Sequence, residues 1–379
     1  MSPAWQTSLM TVRSTKSILV TGSSGYVGQH LIATLARFGI AGNSRTNSNE
    51  VSKCKYEVYC GYNSLSTFEK DLEELCQSLT VHPSISKIET LLLDFHSDIS
   101  STIQDTCGTV DVIIHLAALS SPFYCQTHED EAWKINVPIG LLELNAPLIY
   151  MSTDQVYEGT KQYYIEDDAT YPVNLYGRTK LTFERVLTST PLLTEEDLEH
   201  CTIPEYLLNK LQMLAPHSSS VILRSSLILG KPAPLLHGCA KGTFPSFLQF
   251  VESRLKSSTP TDYFTNEYRS MVHVEDVVTA ILHFTRQALQ DVSESSSVRT
   301  YNLGGSERVS RYDLALKIAS HLQIDDSCVN GVDRLLEDGA ILQSPSDISM
   351  NVEKLTKELK VDRLDGLDEI IKTTFGDRD

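Results

Sequence analysis

Nowhere in the 379 residues is there an apolar run approaching the ~20 residues of a membrane span, and the first sixteen lack the apolar block of a signal peptide. Membrane insertion and secretion by such a leader are therefore not expected, and the N-terminal stretch 1–16 reads as a flexible tail. Basic residues are outnumbered, with 32 Lys plus Arg against 49 Asp plus Glu and a formal net charge of -17. That sign opposes long-range attraction to nucleic acid or to anionic membranes. The eight cysteines form no C-x-x-C pair and no His/Cys cluster at metal-ligand spacing, so neither a disulfide framework nor a metal site is expected. Together these absences point to a cytoplasmic protein with reduced thiols. Repeats and low-complexity tracts are missing as well. At 41% hydrophobic, the chain can bury one large core or two smaller ones.

What is present is an alternation of short β-rich apolar runs with longer segments of helical period, the pattern of an α/β doubly wound parallel sheet. The runs are SILVTG (17–22), YEVYC (56–60), TLLLDF (90–95), VDVIIHLAA (110–118), PLIYMS (147–152) and VILRSSLILG (221–230). Helices are expected over 25–39 and 176–187, the second started by the turn at Pro172. Residues 61–89 and 188–220 read as surface helices and loops. After Gly230 the texture becomes rich in Pro and Gly, which marks a smaller region. A dinucleotide-binding domain over 17–230, rejoined by 270–304, and a substrate-binding region over 231–269 and 305–379 follow from that division. A strand and helix over 269–289, a strand end at YNLGG (301–305), and helices over 311–322 and 364–374 complete the expected elements.

VTGSSGYVGQH places Gly22, Gly25 and Gly28 at G-x-x-G-x-x-G spacing between the first strand and a helix. Glycines there allow a tight turn, close approach of backbone N–H groups to a pyrophosphate, and close helix-strand packing, which is the Rossmann-type dinucleotide fingerprint. Tyr26 and Val27 belong to the same turn. The second strand ends Cys60-Gly61-Tyr62-Asn63-Ser64 without an acid to hold an adenosine 2′-hydroxyl, which favours NADP over NAD. Arg45 or Lys53 reaches a 2′-phosphate only if the preceding loop folds back. Asp94 and Phe95 end the third expected strand and Ala117 and Ala118 the fourth, at the sheet edge where open α/β sheets bind ligands.

Tyr176 and Lys180 stand at i and i+4, on one helix face. An ammonium near a phenol stabilises the phenolate and lowers its pKa, making tyrosine a usable acid or base. In MSTDQVYEGT (151–160) an apolar strand ends on Ser152, Thr153, Asp154 and Gln155, a polar end that invites chemistry.

In order, TGSSGYVG, LLLDF, IIHLAALSSP, IYMSTDQVYEGT, PVNLYGRTK, VILRSS and VHVEDVV resemble the extended short-chain dehydrogenase/reductase superfamily, from Ser17 to about Leu322. PVNLYGRTKLTFE and DISMNVEKL are most similar to the group of dTDP-4-dehydrorhamnose reductases and methionine adenosyltransferase regulatory beta subunits. The resemblance implies a catalytic set of Thr153, Tyr176 and Lys180, and NAD(P)H-dependent reduction of a carbonyl on a nucleotide-activated sugar. It also implies that Arg269 contacts nucleotide phosphates and that Asp154 and Gln155 face the substrate. Sugar-nucleotide dehydratases of the superfamily carry Asp-Glu after the threonine. Here the pair is Asp154-Gln155, and an amide cannot exchange the second proton, so elimination is disfavoured. Leu227 and Gln155 replace a Trp and a Tyr expected to touch the sugar in rhamnose-forming reductases. The rival readings are a regulatory, NADP-binding subunit with a synthetase-type partner and an NAD-dependent epimerase. Homodimerisation stays open.

Overall fold

The computed structural model describes residues 15–42, 54–63, 67–188, 203–207, 219–235, 246–290, 297–334 and 343–376. In chain order the strands among the described residues are β1 (Thr15–Thr21), β2 (Lys55–Tyr62), β3 (Ile85–Leu92), β4 (Val112–His115), β5 (Leu148–Thr153), β6 (Ser220–Ser225), β7 (Ile228–Leu229), β8 (Thr261–Phe264), β9 (Tyr268–Arg269), β10 (Val272–His273), β11 (Val298–Leu303), β12 (Val309–Ser310) and β13 (Val329–Val332). Seven of them form a parallel sheet in the order β11-β6-β5-β4-β1-β2-β3. The strand order reverses direction between β1 and β4, the place at which folds of this kind bind ligands beyond the carboxyl ends of the strands.

Central strands are buried on both faces: every residue of β4 and β6 is inside, which is why they read as unbroken apolar runs. On one face lie α1 (Tyr26–Phe38), α2 (Phe68–Ser78) and the helix Val274–Gln290, packing Leu31, Leu35, Phe68, Val277, Ile281 and Phe284 against the sheet. On the other lie α3 (Ile99–Cys107), α4 (Pro122–Thr127), α5 (Glu129–Asn136) and α6 (Leu175–Thr188), with Ile103, Trp133, Phe183 and Leu187 inside. A separate core holds the helices Phe247–Lys256, Arg311–Leu322 and Leu367–Phe375 together through Leu248, Val251, Leu314, Ile318 and Ile370.

The structure moves several expected boundaries. β1 begins at Thr15, two residues early, because Lys16 and Thr15 continue the ladder with β2. The third strand is Ile85–Leu92, not 90–95; it is the edge strand, so its polar Lys87 and Glu89 face outward and hide it from a reading of apolar runs. Asp94 and Phe95 accordingly lie in the turn beyond it. The 221–230 run breaks at Ser226-Leu227 into β6 and β7, the latter paired with β10. YNLGG supplies the end of β11, which adds the seventh strand beside β6. Among the described residues of 61–89, only Phe68–Ser78 forms a helix. Most of 188–220 lies outside the described residues; within it Ile203 and Leu207 join the core beside α6. No helix among the described residues is long and apolar enough to cross a membrane.

Candidate functional site

The glycine turn sits where the strand order reverses. Gly22 has φ +71°, and a Cβ there would stand 2.5 Å from the Ala117 nitrogen at the end of β4. A Cβ on Gly28 would meet the Gly22 carbonyl oxygen at 2.3 Å, so α1 can lie this close to β1 only without one. Gly25 is the N-cap of α1, and neither a capping side chain nor an acidic residue occupies that first turn. The donors at this helix end, with its partial positive charge, suit a pyrophosphate. Ser23 ties the turn down by donating to the Val20 carbonyl at 2.7 Å and, through its N–H, to Gly61 at 2.9 Å. Tyr26 donates to the Lys231 carbonyl at 2.8 Å, while Val27 packs on the core.

At the neighbouring strand ends the residues are placed unevenly. Ala117 stands beside the turn and donates to Thr21 Oγ1 at 3.4 Å; Ala118 follows it in the loop after β4. Asp94 is exposed and accepts from the His96 backbone N–H at 2.9 Å, a bond that holds its carboxyl below the usual range. Phe95 turns inward instead, its ring 5.9 Å from that of His115. β2 ends as expected without its own acid. Glu69, from α2, does reach Tyr62 and accepts from its hydroxyl at 2.6 Å, a carboxylate that strand-end reasoning missed. Arg45, Lys53 and Ser64 lie outside the described residues.

Thr153, the last residue of β5, and Tyr176 and Lys180, one turn apart on α6, are brought together and buried. Asn174 fixes the start of α6 by accepting from the Gly177 N–H at 3.0 Å, so the helix is capped by Asn174 and not merely started by Pro172. Gly177 lets the helix approach: a Cβ there would stand 2.2 Å from the Gln155 carbonyl oxygen. The Tyr176 phenol faces the Thr153 hydroxyl. Burial pushes its pKa up, the Thr153 contact opposes that, and nearby Asp154 raises it further. Sequence spacing had Lys180 lowering the phenol; here burial dominates both partners, raising the phenol and lowering the amine. Burial pushes the Lys180 amine down to about 7, against the pull of Glu184. Its Nζ lies 4.3 Å from the centre of the Tyr150 ring.

The i, i+4 stripe of α6 extends to a third residue that sequence reasoning missed. Glu184 is buried, accepts from the Ser152 hydroxyl, and is held by Arg224 of β6, whose Nη2 donates to it at 2.8 Å. Arg224 continues to the Tyr157 hydroxyl at 3.0 Å, and that hydroxyl donates to Asn302 of β11 at 2.7 Å. Asn136, also missed, ends α5 and donates to Thr179 at 3.0 Å, locking α5 to the Tyr176/Lys180 helix. His115 is fully buried and stacked on Tyr150, with its pKa well below normal from burial and from Lys180. The repeat Tyr176-x3-Lys180-x3-Glu184 was the signal available for the first of these.

Past the end of β5, Asp154 is buried beside Thr153, whose hydroxyl donates to it at 3.2 Å. Burial pushes its carboxyl up to about 6, with Arg269 pulling the other way. Its second oxygen makes no hydrogen bond among the described residues, although Ser226 lies close enough to favour its charge. The Gln155 side chain accepts from Asn174 at 2.9 Å. Arg269 is buried, donating to the carbonyls of Tyr268 at 2.7 Å and Pro345 at 3.0 Å and to Ser344 Oγ at 3.3 Å.

Residues 16–193, which include the glycine turn and the whole Thr153/Tyr176/Lys180 set, match a known family model. The model is that of the RmlD substrate binding domain, which this segment is similar to. Among curated relatives, methionine adenosyltransferase 2 subunit beta of Bos taurus is 28% identical over 237 residues, covering 59% of this chain and 60% of that protein. The dTDP-4-dehydrorhamnose reductase of Sinorhizobium fredii (strain NBRC 101917 / NGR234) is 33% identical over 100 residues, 24% of this chain and 33% of that one. The chain thus spans about 60% of the length of the beta subunits it matches. Among solved structures, a UDP-glucose-4-epimerase from Stenotrophomonas maltophila with bound NAD superposes with TM-score 0.66 at 19% identity, covering 95% of this chain and 97% of that one. A Bacillus anthracis str. Ames dTDP-4-dehydrorhamnose reductase in complex with NADP gives TM-score 0.61 at 18% identity, with 95% and 99% covered. These likenesses establish the Rossmann-like fold and the resemblance to the RmlD and beta-subunit group.

Proposed function

We propose that the RmlD-like chain is an NAD(P)H-dependent reductase of a carbonyl on a sugar-like substrate. The observation that carries this reading is the convergence of Thr153, Tyr176 and Lys180 at the carboxyl end of β5, buried beside the strand-order reversal that holds the glycine turn. The tight, uncapped turn fits a dinucleotide: Gly22, Gly25 and Gly28 would hold its pyrophosphate and Lys180 its nicotinamide ribose. When bound, the dihydronicotinamide supplies a hydride to the carbonyl carbon. Tyr176 gives its proton to the carbonyl oxygen, and Thr153 donates a hydrogen bond to that oxygen as charge develops. Tyr176, with its raised pKa, is protonated at neutral pH and so ready as the acid. Lys180, titrating near 7, can pass a proton at the same end of α6. Gln155, engaged by Asn174, offers no carboxyl for elimination, which favours reduction alone.

NADP is the favoured dinucleotide, since residues 60–63 present no acid from the strand end. The test of the reading is incubation of the NADPH-loaded protein with a panel of 4-keto sugar nucleotides and free keto sugars. Oxidation of the cofactor supports it; bound NADPH that no member oxidises overturns it. A second reading, a regulatory subunit, is favoured by the beta-subunit relatives. It requires a synthetase catalytic subunit to co-purify in stoichiometric amount from the source cells, unaffected by Tyr176→Phe.

A further inference from the structure

Glu184 is a buried carboxylate with no part in the reduction proposed above, and it stands one turn beyond Lys180 on α6. Residues at i and i+4 share a helix face, with Cβ atoms about 5–6 Å apart, so Tyr176, Lys180 and Glu184 form one stripe. The stripe meets alternate residues of β5, which point to the same side of the sheet. Tyr150 donates its hydroxyl to the Lys180 carbonyl at 3.3 Å, and Ser152 donates its own to Glu184. Arg224 is the β6 residue paired with Ser152 in the ladder. Its Nε reaches both carboxylate oxygens, at 3.2 and 3.1 Å, and its Nη2 donates to one of them at 2.8 Å.

Arg224 and Ser152 thus occupy the carboxylate, and Lys180 is not captured by it. The Lys180 Nζ lies instead over the Tyr150 ring, 4.3 Å from its centre. The titratable groups around this amine are Tyr176 and Glu184 on its own helix, Cys125 of α4, His115 of β4 and Tyr150 of β5. Burial disfavours the ammonium, and among the groups that favour it Glu184 weighs most. Stability alone is a poor account of the ion pair, since well-packed apolar residues commonly replace a buried pair at no loss.

Resting on the reductase reading above, we propose that Glu184 is a positioning residue for that chemistry: clasped by Arg224 and Ser152, its carboxylate keeps Lys180 an ammonium while leaving Nζ free for the nicotinamide ribose. Glu184 touches neither substrate nor cofactor and acts through Lys180.

The test follows the Lys180 amine by NMR in the full chain, its signal assigned by its loss in Lys180→Met. Glu184→Gln should lower the pH at which Lys180 titrates by about one unit or more. The ammonium fraction at pH 7 then falls from about one half to about one tenth, so NADP, the acid-stable oxidised cofactor, should bind about fivefold more weakly there and regain wild-type affinity near pH 5. If the glutamine variant fails to fold, Glu184→Gln combined with Arg224→Met removes both charges and serves for both readouts, with the same directions expected. A Lys180 titration that does not move, or an affinity loss of equal size at pH 7 and pH 5, overturns the proposal, since Glu184 would then support the fold without acting on the lysine. A protein that binds no NADP at any pH would refute the dinucleotide reading, and the Lys180 titration of the free chain still decides the role of Glu184.

Discussion

Lys180→Met isolates the energetic cost of burying the lysine beside Tyr176. The folded protein holds the Lys180 amine at about 7, against roughly 10.4 in an unfolded chain. Because the unfolded chain binds the proton more tightly, the wild-type protein gains stability as pH rises from about 7 to about 10. The linkage relation puts the cost of Lys180 at about 5 kcal/mol near pH 6 and about 2 kcal/mol near pH 9. Methionine has similar length and no charge, and it can keep contact with the Tyr150 ring. The variant should therefore be more stable than wild type, and its advantage should shrink by about 3 kcal/mol between about pH 6 and about pH 9. Urea unfolding of both proteins at the two pH values measures this directly, since other titrating groups cancel in the difference. An advantage that is constant with pH would mean that Lys180 is not held near neutrality, and the account of proton handling at α6 would fall.

Other consequences are equally open to measurement. Gly28→Ala drives a methyl into the Gly22 carbonyl; it should weaken NADPH binding at least about tenfold by titration, with about 1–3 kcal/mol lost in urea unfolding. Arg224→Leu leaves Glu184 charged and buried without its guanidinium, and a loss of about 3–5 kcal/mol is expected; a loss below about 1 kcal/mol would show that the network is not needed. NADPH should bind more tightly than NADH in parallel titrations, and a clear NADH preference would reverse the reading of the β2 end.

The sequence made the fold legible where strands are buried on both faces. β1 and β5 appear as apolar runs within one or two residues of their true bounds, while the runs that mark β4 and β6 overrun them, because small and apolar residues continue past His115 and Ser225. β3 was displaced because an edge strand keeps polar residues such as Lys87 and Glu89. Tyr176 and Lys180 could be paired from spacing alone, since i, i+4 fixes a common face. Spacing could not tell in which direction either would be perturbed, because that depends on burial in the surrounding core. Glu184 was visible in the same period, but its meaning depends on Arg224, 40 residues away. The partners of Arg269 lie 75 and 76 residues further on, in a segment with no periodic pattern of its own, so its role was not readable.

The central claim is that Tyr176 protonates a carbonyl reduced at this site. Single-turnover oxidation of bound NADPH, followed by absorbance with a responsive carbonyl compound, compares wild type with Tyr176→Phe most directly. The account predicts a rate at least about 100-fold lower in the variant with NADPH affinity unchanged. Equal rates in the two proteins would contradict it.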